Sequence, residues 1–274
     1  IVFLPALGFR ASIFILAAAD LLCAATIFLG PARGESLRHE PEIKLPATTA
    51  SGALSKKVLL ILLFSTGTLG IAYEILVVRI MAQVLENTIY TYASALFIYL
   101  VGTSAGAWFY HKKLSHRTGE SSVLGMLLFL CACSCALGIL ALSQSLRLYD
   151  FYFSVFGSSI AGAMLTEMAL AAGAFLLPTF CMGMTFSCCA LSLRRKSDGT
   201  GLALGTNTFG GFLAPPLFGV LLLSAFGVKV SILAVVAGYI LLMFVSGHAV
   251  KRAVLLFPGA LLVAGAVVAD LKLV

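Results

Sequence analysis

Charged residues are scarce in this chain of 274 residues, and their scarcity excludes an ordinary soluble domain. Only 11% of the residues are Asp, Glu, Lys or Arg, against about 25% in a typical soluble domain. Hydrophobic residues make up 61% of the chain, and the mean hydropathy is +1.07. The apolar runs reach about 18 residues or more, as membrane helices require, whereas the strands of a β-barrel alternate over short segments. The sequence therefore predicts an all-α, polytopic helical membrane protein.

Motifs for catalysis or cofactor binding are missing as well. The four histidines, His39, His111, His116 and His248, lie in polar connections, so no predicted span offers an imidazole ligand to a membrane haem. The seven cysteines lie in apolar runs and form neither a disulfide framework nor a haem-attachment motif. The glycines of 199–211 do not follow a strand, which excludes a nucleotide-binding loop there. We expect no cofactor, no metal and no catalytic residue, so that any enzymatic activity would lie outside these residues.

The apolar sequence divides into eight predicted spans. The span at 158–193 is too long for one simple crossing, and Pro178 in its middle is expected to kink it. We expect its first part to tilt steeply or to lie at the membrane interface. The chain enters apolar sequence directly at Ile1, without a basic segment, so we expect further sequence to precede it. The spans cover about 11–30, 58–83, 89–110, 122–144, 158–193, 202–226, 230–247 and 253–270.

The distribution of basic residues predicts the orientation in the membrane. Thirteen of the 18 Lys and Arg residues fall in connections on one side, and only four lie on the other. By the positive-inside rule the basic side is cytoplasmic, and the net charge of +7 reflects this orientation rather than nucleic-acid binding. We predict an integral protein of the bacterial inner membrane, whose partners are the lipid bilayer and, as an open alternative, other membrane or soluble subunits. The predicted cytoplasmic connections are 31–57, 111–121, 194–201 and 248–252.

A short internal repeat predicts the organisation into domains. Residues 8–22 (GFRASIFILAAADLL) align with 227–241 (GVKVSILAVVAGYIL) through a shared Gly, basic residue and Ser. Six spans lie between the polar linker and the end of the second copy, which indicates two six-helix repeats of which only the second is complete here. The predicted units are 1–30, the last helix of a preceding repeat; 31–56, a cytoplasmic linker; 57–247, one complete six-helix repeat; and 248–274, an additional C-terminal transmembrane helix.

Several segments in a fixed order resemble one family. The stretch GTLGIAYEILVVRI contains Tyr73, Glu74 and Arg79 and is followed by YASALFIYLVGTSAGAWF. The segments LLPTFCMGMTFS and LGTNTFGGFLAPPLFG come later in the chain. Over about 56–247, together with 3–29, the chain resembles the membrane domain of spermidine synthase-like proteins, often called fused major-facilitator/spermidine synthases. The soluble aminopropyltransferase domain of that family has no counterpart in these residues.

The resemblance implies a major-facilitator-like (MFS-like) membrane domain that is not catalytic in itself. It leaves three functions open. The first is binding or transport of a small cationic metabolite such as a polyamine. The second is a structural membrane subunit or anchor for a soluble enzyme or for a larger membrane complex, such as a redox complex. The third is the membrane part of an aminopropyltransferase-type enzyme.

Six residues are candidates for ligand binding or ion pairing. Charge within a span is costly and usually faces a protein interior or a cavity. Glu74 and Arg79 are rotated by about 140° from each other on a helix, so each is expected to meet a partner on another helix, with Glu167 as a candidate for Arg79. The alternatives are an outward-open polar pocket for a cation or proton, and a buried network that fixes helix packing. The six candidates are Glu74, Arg79, Glu167, Asp20, Tyr73 and Asn207.

Small residues and prolines predict how the helices meet. Gly102 and Gly106, one turn apart, favour close helix approach, and Asn207 favours packing or hydrogen bonding between helices. The proline pair at 215–216 is expected to bend its span and to free backbone carbonyls. Asp20, near the middle of the first span, is expected to serve either transport coupling or structural hydrogen bonding.

Overall fold

The structure, a computed structural model, describes most of the chain between residues 54 and 246. Asp20, most of the predicted linker at 31–56 and the predicted helix at 253–270 lie outside the described residues, so the predictions made for them stay predictions. The described residues are 54–84, 89–115, 120–157, 159–195 and 200–246, together with eight helical positions between 11 and 25.

The chain divides into two compact units, Ile1–Ala50 and Ser51–Val274, and the second unit is built from helices. No strand occurs among its described residues. Its helices are α1 (Lys56–Val84), α2 (Ile89–Phe109, continued by a π-helical turn, Tyr110–Leu114), α3 (Glu120–Ser143), α4 (Ser145–Phe156), α5 (Ile160–Arg194), α6 (Thr200–Ala214, continued by a π-helical segment, Pro215–Leu222) and α7 (Leu223–Val245).

Five helical segments are long and apolar enough to cross a membrane, which identifies the chain as an integral, multi-pass membrane protein. The predicted all-α fold class is confirmed to that extent. The predicted spans 58–83, 89–110, 122–144 and 158–193 each coincide with one of these segments. The five segments are Lys56–Gln83, Thr91–Leu114, Ser122–Ser143, Ala161–Arg194 and Thr200–Val245.

The last of these segments is too long to cross the membrane only once. Its 46 residues would extend about 69 Å in a straight helix, more than twice the hydrocarbon thickness of a bilayer. Gly227 interrupts it with φ 75° and ψ 175°. A β-carbon on Gly211 would lie 3.1 Å from Ile71, and one on Gly238 would lie 2.8 Å from Leu69, so both halves pack beside the same turn of α1. Positions 27 residues apart in a straight helix would be separated by about 40 Å, so the chain reverses direction at Gly227.

This reversal falls between the predicted spans 202–226 and 230–247. Even the shorter half, residues 228–245, reaches about 27 Å along its axis. Because the first and last predicted spans lie outside the described residues or are only sparsely described, the total of eight spans stays a prediction.

A short helix, α4, lies in the connection between the predicted spans 122–144 and 158–193. Its residues Leu148 and Tyr152 pack against the core, while Leu146, Phe151 and Val155 are exposed. The helix ends at Gly157, whose φ of 82° favours glycine. The Ser159 side chain then caps α5 by accepting a hydrogen bond from the Gly162 amide at 3.0 Å. α5 continues without a break through its internal proline, and the buried positions near its start place that part in the bundle.

Glycines bring two pairs of helices into backbone contact. On α2, β-carbons at Gly102 and Gly106 would overlap the Thr179 side chain and the Phe180 carbonyl oxygen of α5. On α6, a β-carbon at Gly210 would overlap a carbonyl oxygen of α1. Small residues one turn apart permit this approach in membranes. The packing interpretation of Gly102 and Gly106 is therefore confirmed.

Two of the basic connections meet at one end of the bundle. The Arg195 guanidinium donates to the Ser115 carbonyl at 3.3 Å. This contact joins the end of α5 to the end of α2, which also carries Lys112. The helix ends at which the predicted cytoplasmic connections 111–121 and 194–201 begin therefore lie on the same side of the bundle.

Candidate binding cavity

A cavity of about 260 Å³, the central cavity, lies among α1, α2, α5, α6 and α7. Small-molecule sites usually have volumes of about 300 Å³ or more, so this cavity suits a small solute. Its walls combine apolar side chains with hydrogen-bonding groups. The residues that contribute those groups are Thr66, Tyr99, Thr103, Thr185, Asn207 and Tyr239.

Glycines create much of this space. Gly67 and Gly70 of α1 and Gly183 of α5 line the cavity and add no side chain to it. A β-carbon on Gly70 would lie 3.7 Å from the Met182 sulfur and 3.9 Å from the Tyr239 hydroxyl. The Tyr239 hydroxyl of α7 therefore lies directly against the glycine wall of α1.

Glu74 extends the polar surface of the cavity by one helical turn. Gly67, Gly70 and Ile71 line the cavity, and residues three or four positions apart lie on the same face of a helix. Glu74 therefore continues that face toward the C-terminal end of α1. Its side chain is half-buried and close enough to the phenol of Tyr99 for the two groups to interact electrostatically. The sequence candidate Glu74 thus places a carboxyl group beside a cavity lined by hydroxyl groups.

The other charged candidates lie away from the central cavity. Arg79 is exposed on α1, in contrast to the half-buried Glu74, as their rotation on the helix predicts. Glu167 is half-buried on α5 and does not line the cavity. The pairing of Glu167 with Arg79 stays a prediction, and Asp20 lies outside the described residues.

Tyr73 holds two helices together at a proline. Its side chain is only 1% exposed, and its hydroxyl donates to the Ala174 carbonyl of α5 at 2.8 Å. Its ring meets Phe175 edge-on, with the ring centroids 6.1 Å apart. The residue that would normally donate to Ala174 is four positions later, and it is Pro178, which has no N–H. Tyr73 therefore satisfies the carbonyl that Pro178 frees, which is one way in which membrane helices tolerate proline.

Thr68 joins α1 to the segment that precedes the second proline site. Its hydroxyl donates to the Gly210 carbonyl of α6 at 2.9 Å. The chain then continues from Pro215 as a π-helical segment. That the proline pair frees backbone carbonyls stays a prediction.

Asn207 contributes to both packing and the cavity. Its backbone carbonyl lies so close to Gly67 that a β-carbon there would overlap it, while Asn207 also lines the central cavity. Of the six sequence candidates, the structure therefore brings Asn207 to the cavity wall and Glu74 to its edge.

Sequence reasoning missed Tyr99, Thr103 and Tyr239 as cavity residues. Each is a polar residue in an apolar helix, and its local sequence resembles that of any tyrosine or threonine in a span. The wall formed by α1 could have been predicted from the sequence, because Thr66, the glycines of α1 and Glu74 recur at helical spacing. That face of small and polar residues indicates a helix surface that does not meet lipid.

The other cavity and side-chain clusters among the described residues are weaker candidates for a binding site. A second cavity of about 20 Å³ beneath α4 is lined mainly by apolar side chains and is large enough for about one water. Within the described ranges, no group of three or more His, Cys, Asp or Glu residues is arranged to hold a metal ion.

Comparison with known proteins finds no matching family, no matching curated protein and no matching solved structure. The resemblance to spermidine synthase-like membrane domains therefore rests on the sequence motifs alone.

Proposed function

We propose that this chain is the non-catalytic membrane domain of a spermidine synthase-like protein and that it binds or moves a small organic cation in the central cavity. The observation that carries the proposal is the position of Glu74. Its carboxyl group continues the cavity-lining face of α1 by one turn and interacts with Tyr99. A carboxyl group in a span is costly, which favours a role for it in a cavity over an accidental position.

The lining of the cavity suits a cation with apolar carbons. The ring of the half-buried Tyr99 can attract a cation through its face, and Glu74 supplies the opposite charge. The wall also includes Ile71 and Met182, which can pack against methylene groups. A short polyamine or another small amine combines these features and matches a cavity of about 260 Å³.

The proposed architecture has eight spans, of which six form an MFS-like repeat in 57–247. The reversal at Gly227 supports two spans between 200 and 246, because each half reaches most of the way across a bilayer. The basic end that contains Lys112 and Arg195 is cytoplasmic in this proposal, which follows the positive-inside rule for a bacterial inner membrane.

A structural membrane subunit or anchor is the second candidate function. The contacts of Tyr73 with Ala174 and of Thr68 with Gly210 favour it, because they make the bundle a firmly connected unit. In that case the central cavity has no ligand, and the polar groups around it only fix helix positions.

Uptake into proteoliposomes separates these functions. The full chain is reconstituted, and accumulation of radiolabelled spermidine is compared for the parent, Glu74→Gln and Asp150→Asn. Gln keeps the shape of the Glu side chain but removes its charge. Asp150 is exposed on α4, so its substitution removes a carboxylate of equal charge away from the cavity.

We expect Glu74→Gln to reduce uptake by about tenfold or more, since hydrogen bonds to charged groups contribute roughly 1.5–3 kcal/mol. Asp150→Asn should transport like the parent, and both variants should elute from size-exclusion chromatography as the folded parent does. Absence of spermidine uptake or binding by the parent would contradict the proposal. Loss of the folded species in Glu74→Gln alone would favour the structural subunit.

A further inference from the structure

The hydroxyl of Tyr239 is buried without a hydrogen-bond partner among the described residues. The side chain is only 1% exposed. More than about 90% of buried polar groups in proteins have a partner, and leaving one without a partner costs free energy. An unsatisfied hydroxyl in the interior therefore requires an explanation.

The position of this hydroxyl supplies the explanation. Tyr239 lines the central cavity, and its hydroxyl lies against the bare backbone of Gly70. Tyr73, which is equally buried, donates to a backbone carbonyl instead and does not line the cavity. The hydroxyl without a partner thus belongs to the tyrosine that forms part of the cavity wall.

We infer that Tyr239 is a specificity-determining residue, which selects cations that carry N–H groups over cations that do not. This inference rests on the proposed function of the cavity. A tyrosine hydroxyl oxygen can accept a hydrogen bond from the N–H of a primary or secondary ammonium group. A quaternary ammonium has the same charge and can contact the Tyr99 ring, but it has no N–H to donate.

Glu74 and Tyr239 therefore recognise different features of the ligand, its charge and its N–H groups. The carboxyl group favours any cation, because attraction between opposite charges does not depend on N–H groups. The hydroxyl distinguishes among cations, because it remains unsatisfied when a quaternary ammonium occupies the cavity. Specificity of this kind arises when a buried polar group of the site is left unpaired by the wrong ligand.

Equilibrium binding to the full chain in lipid nanodiscs tests the inference. Propylammonium and tetramethylammonium are the probes, since they have the same charge and similar size. The proteins are the parent, Tyr239→Phe and the control Tyr149→Phe, which removes a hydroxyl from α4. We expect Tyr239→Phe to weaken propylammonium binding by roughly tenfold and to leave tetramethylammonium binding unchanged. Tyr149→Phe should bind both probes like the parent.

The outcomes separate this inference from the proposed function. Equal changes for both probes in Tyr239→Phe, or no change for either, would overturn the role of Tyr239 while leaving the cavity a cation site. Failure of both probes to bind the parent would overturn both proposals.

The ligand-free stability of Tyr239→Phe gives a second readout. Because the hydroxyl has no partner to lose, we expect the variant to unfold at the same temperature as the parent or higher. A clear decrease in its unfolding temperature would mean that the hydroxyl has a structural partner, and it would overturn the inference.

Discussion

Replacement of Tyr73 by Phe should destabilise the bundle only while Pro178 is present. The substitution removes the hydroxyl that donates to the Ala174 carbonyl at 2.8 Å and leaves the ring to pack against Phe175. No residue of α5 can take over as the donor four positions later, because that position is Pro178. The Ala174 carbonyl is then a buried acceptor without a partner.

Two known ranges set the expected loss in the free energy of unfolding. A buried acceptor without a partner costs about 1–3 kcal/mol, and measured hydrogen bonds between membrane helices average about 0.6 kcal/mol with a maximum near 1.7. Tyr73 is only 1% exposed, so water cannot replace its hydroxyl easily. We therefore expect Tyr73→Phe to lower the free energy of unfolding by about 1.5 kcal/mol, roughly a tenfold change in the equilibrium constant.

The Pro178→Ala background provides the matched comparison. Alanine restores an N–H that can donate to the Ala174 carbonyl, so Tyr73→Phe should then cost less than about 0.5 kcal/mol. The coupling energy between the two sites should be about 1 kcal/mol. Equilibrium unfolding in mixed micelles of mild detergent and sodium dodecyl sulfate, followed by circular dichroism, measures all four proteins. An equal cost of Tyr73→Phe in both backgrounds would refute the reasoning.

Two further predictions concern packing and orientation. Gly106→Ala should destabilise the bundle by about 1–3 kcal/mol, because the added β-carbon meets the backbone of α5. Gly205→Ala is the control: Gly205 has open space around it, so this variant should be neutral or slightly stabilising. Equal effects of the two substitutions in the unfolding assay would argue against close packing of α2 on α5. In intact cells, a membrane-impermeant maleimide should label Lys229→Cys but should label Lys113→Cys only after lysis, and the opposite pattern would reverse the proposed orientation.

Much of the helical layout could be predicted from composition and local signals. Long apolar runs identify α1, α2, α3 and α5, because a membrane helix needs about 20 apolar residues. The turn at Gly227 could also be predicted, because Gly227 and Lys229 lie between two apolar runs. The helix α4 was missed because its 12 residues are too short for a span, although their apolar positions recur with helical periodicity.

The candidate site was only partly predictable, because it depends on which helices become neighbours. A carboxyl group within an apolar span is rare because it is energetically costly, so Glu74 could be recognised as a candidate from the sequence. Tyr239 and Tyr99 gain their roles only when α7 and α2 pack around the glycine face of α1. Tyr73 illustrates the opposite case: a polar residue in a conspicuous motif is used for packing, because a proline on another helix requires its hydroxyl.

Photoaffinity labelling of the full chain with a diazirine-bearing primary amine tests the central claim most directly. If the amine binds in the central cavity, the label should be found on cavity-lining segments of α1, α2 or α7, excess spermidine should prevent it, and Glu74→Gln should reduce it strongly. Labelling that is confined to the exposed face of α4, or that neither spermidine nor Glu74→Gln diminishes, would contradict the account.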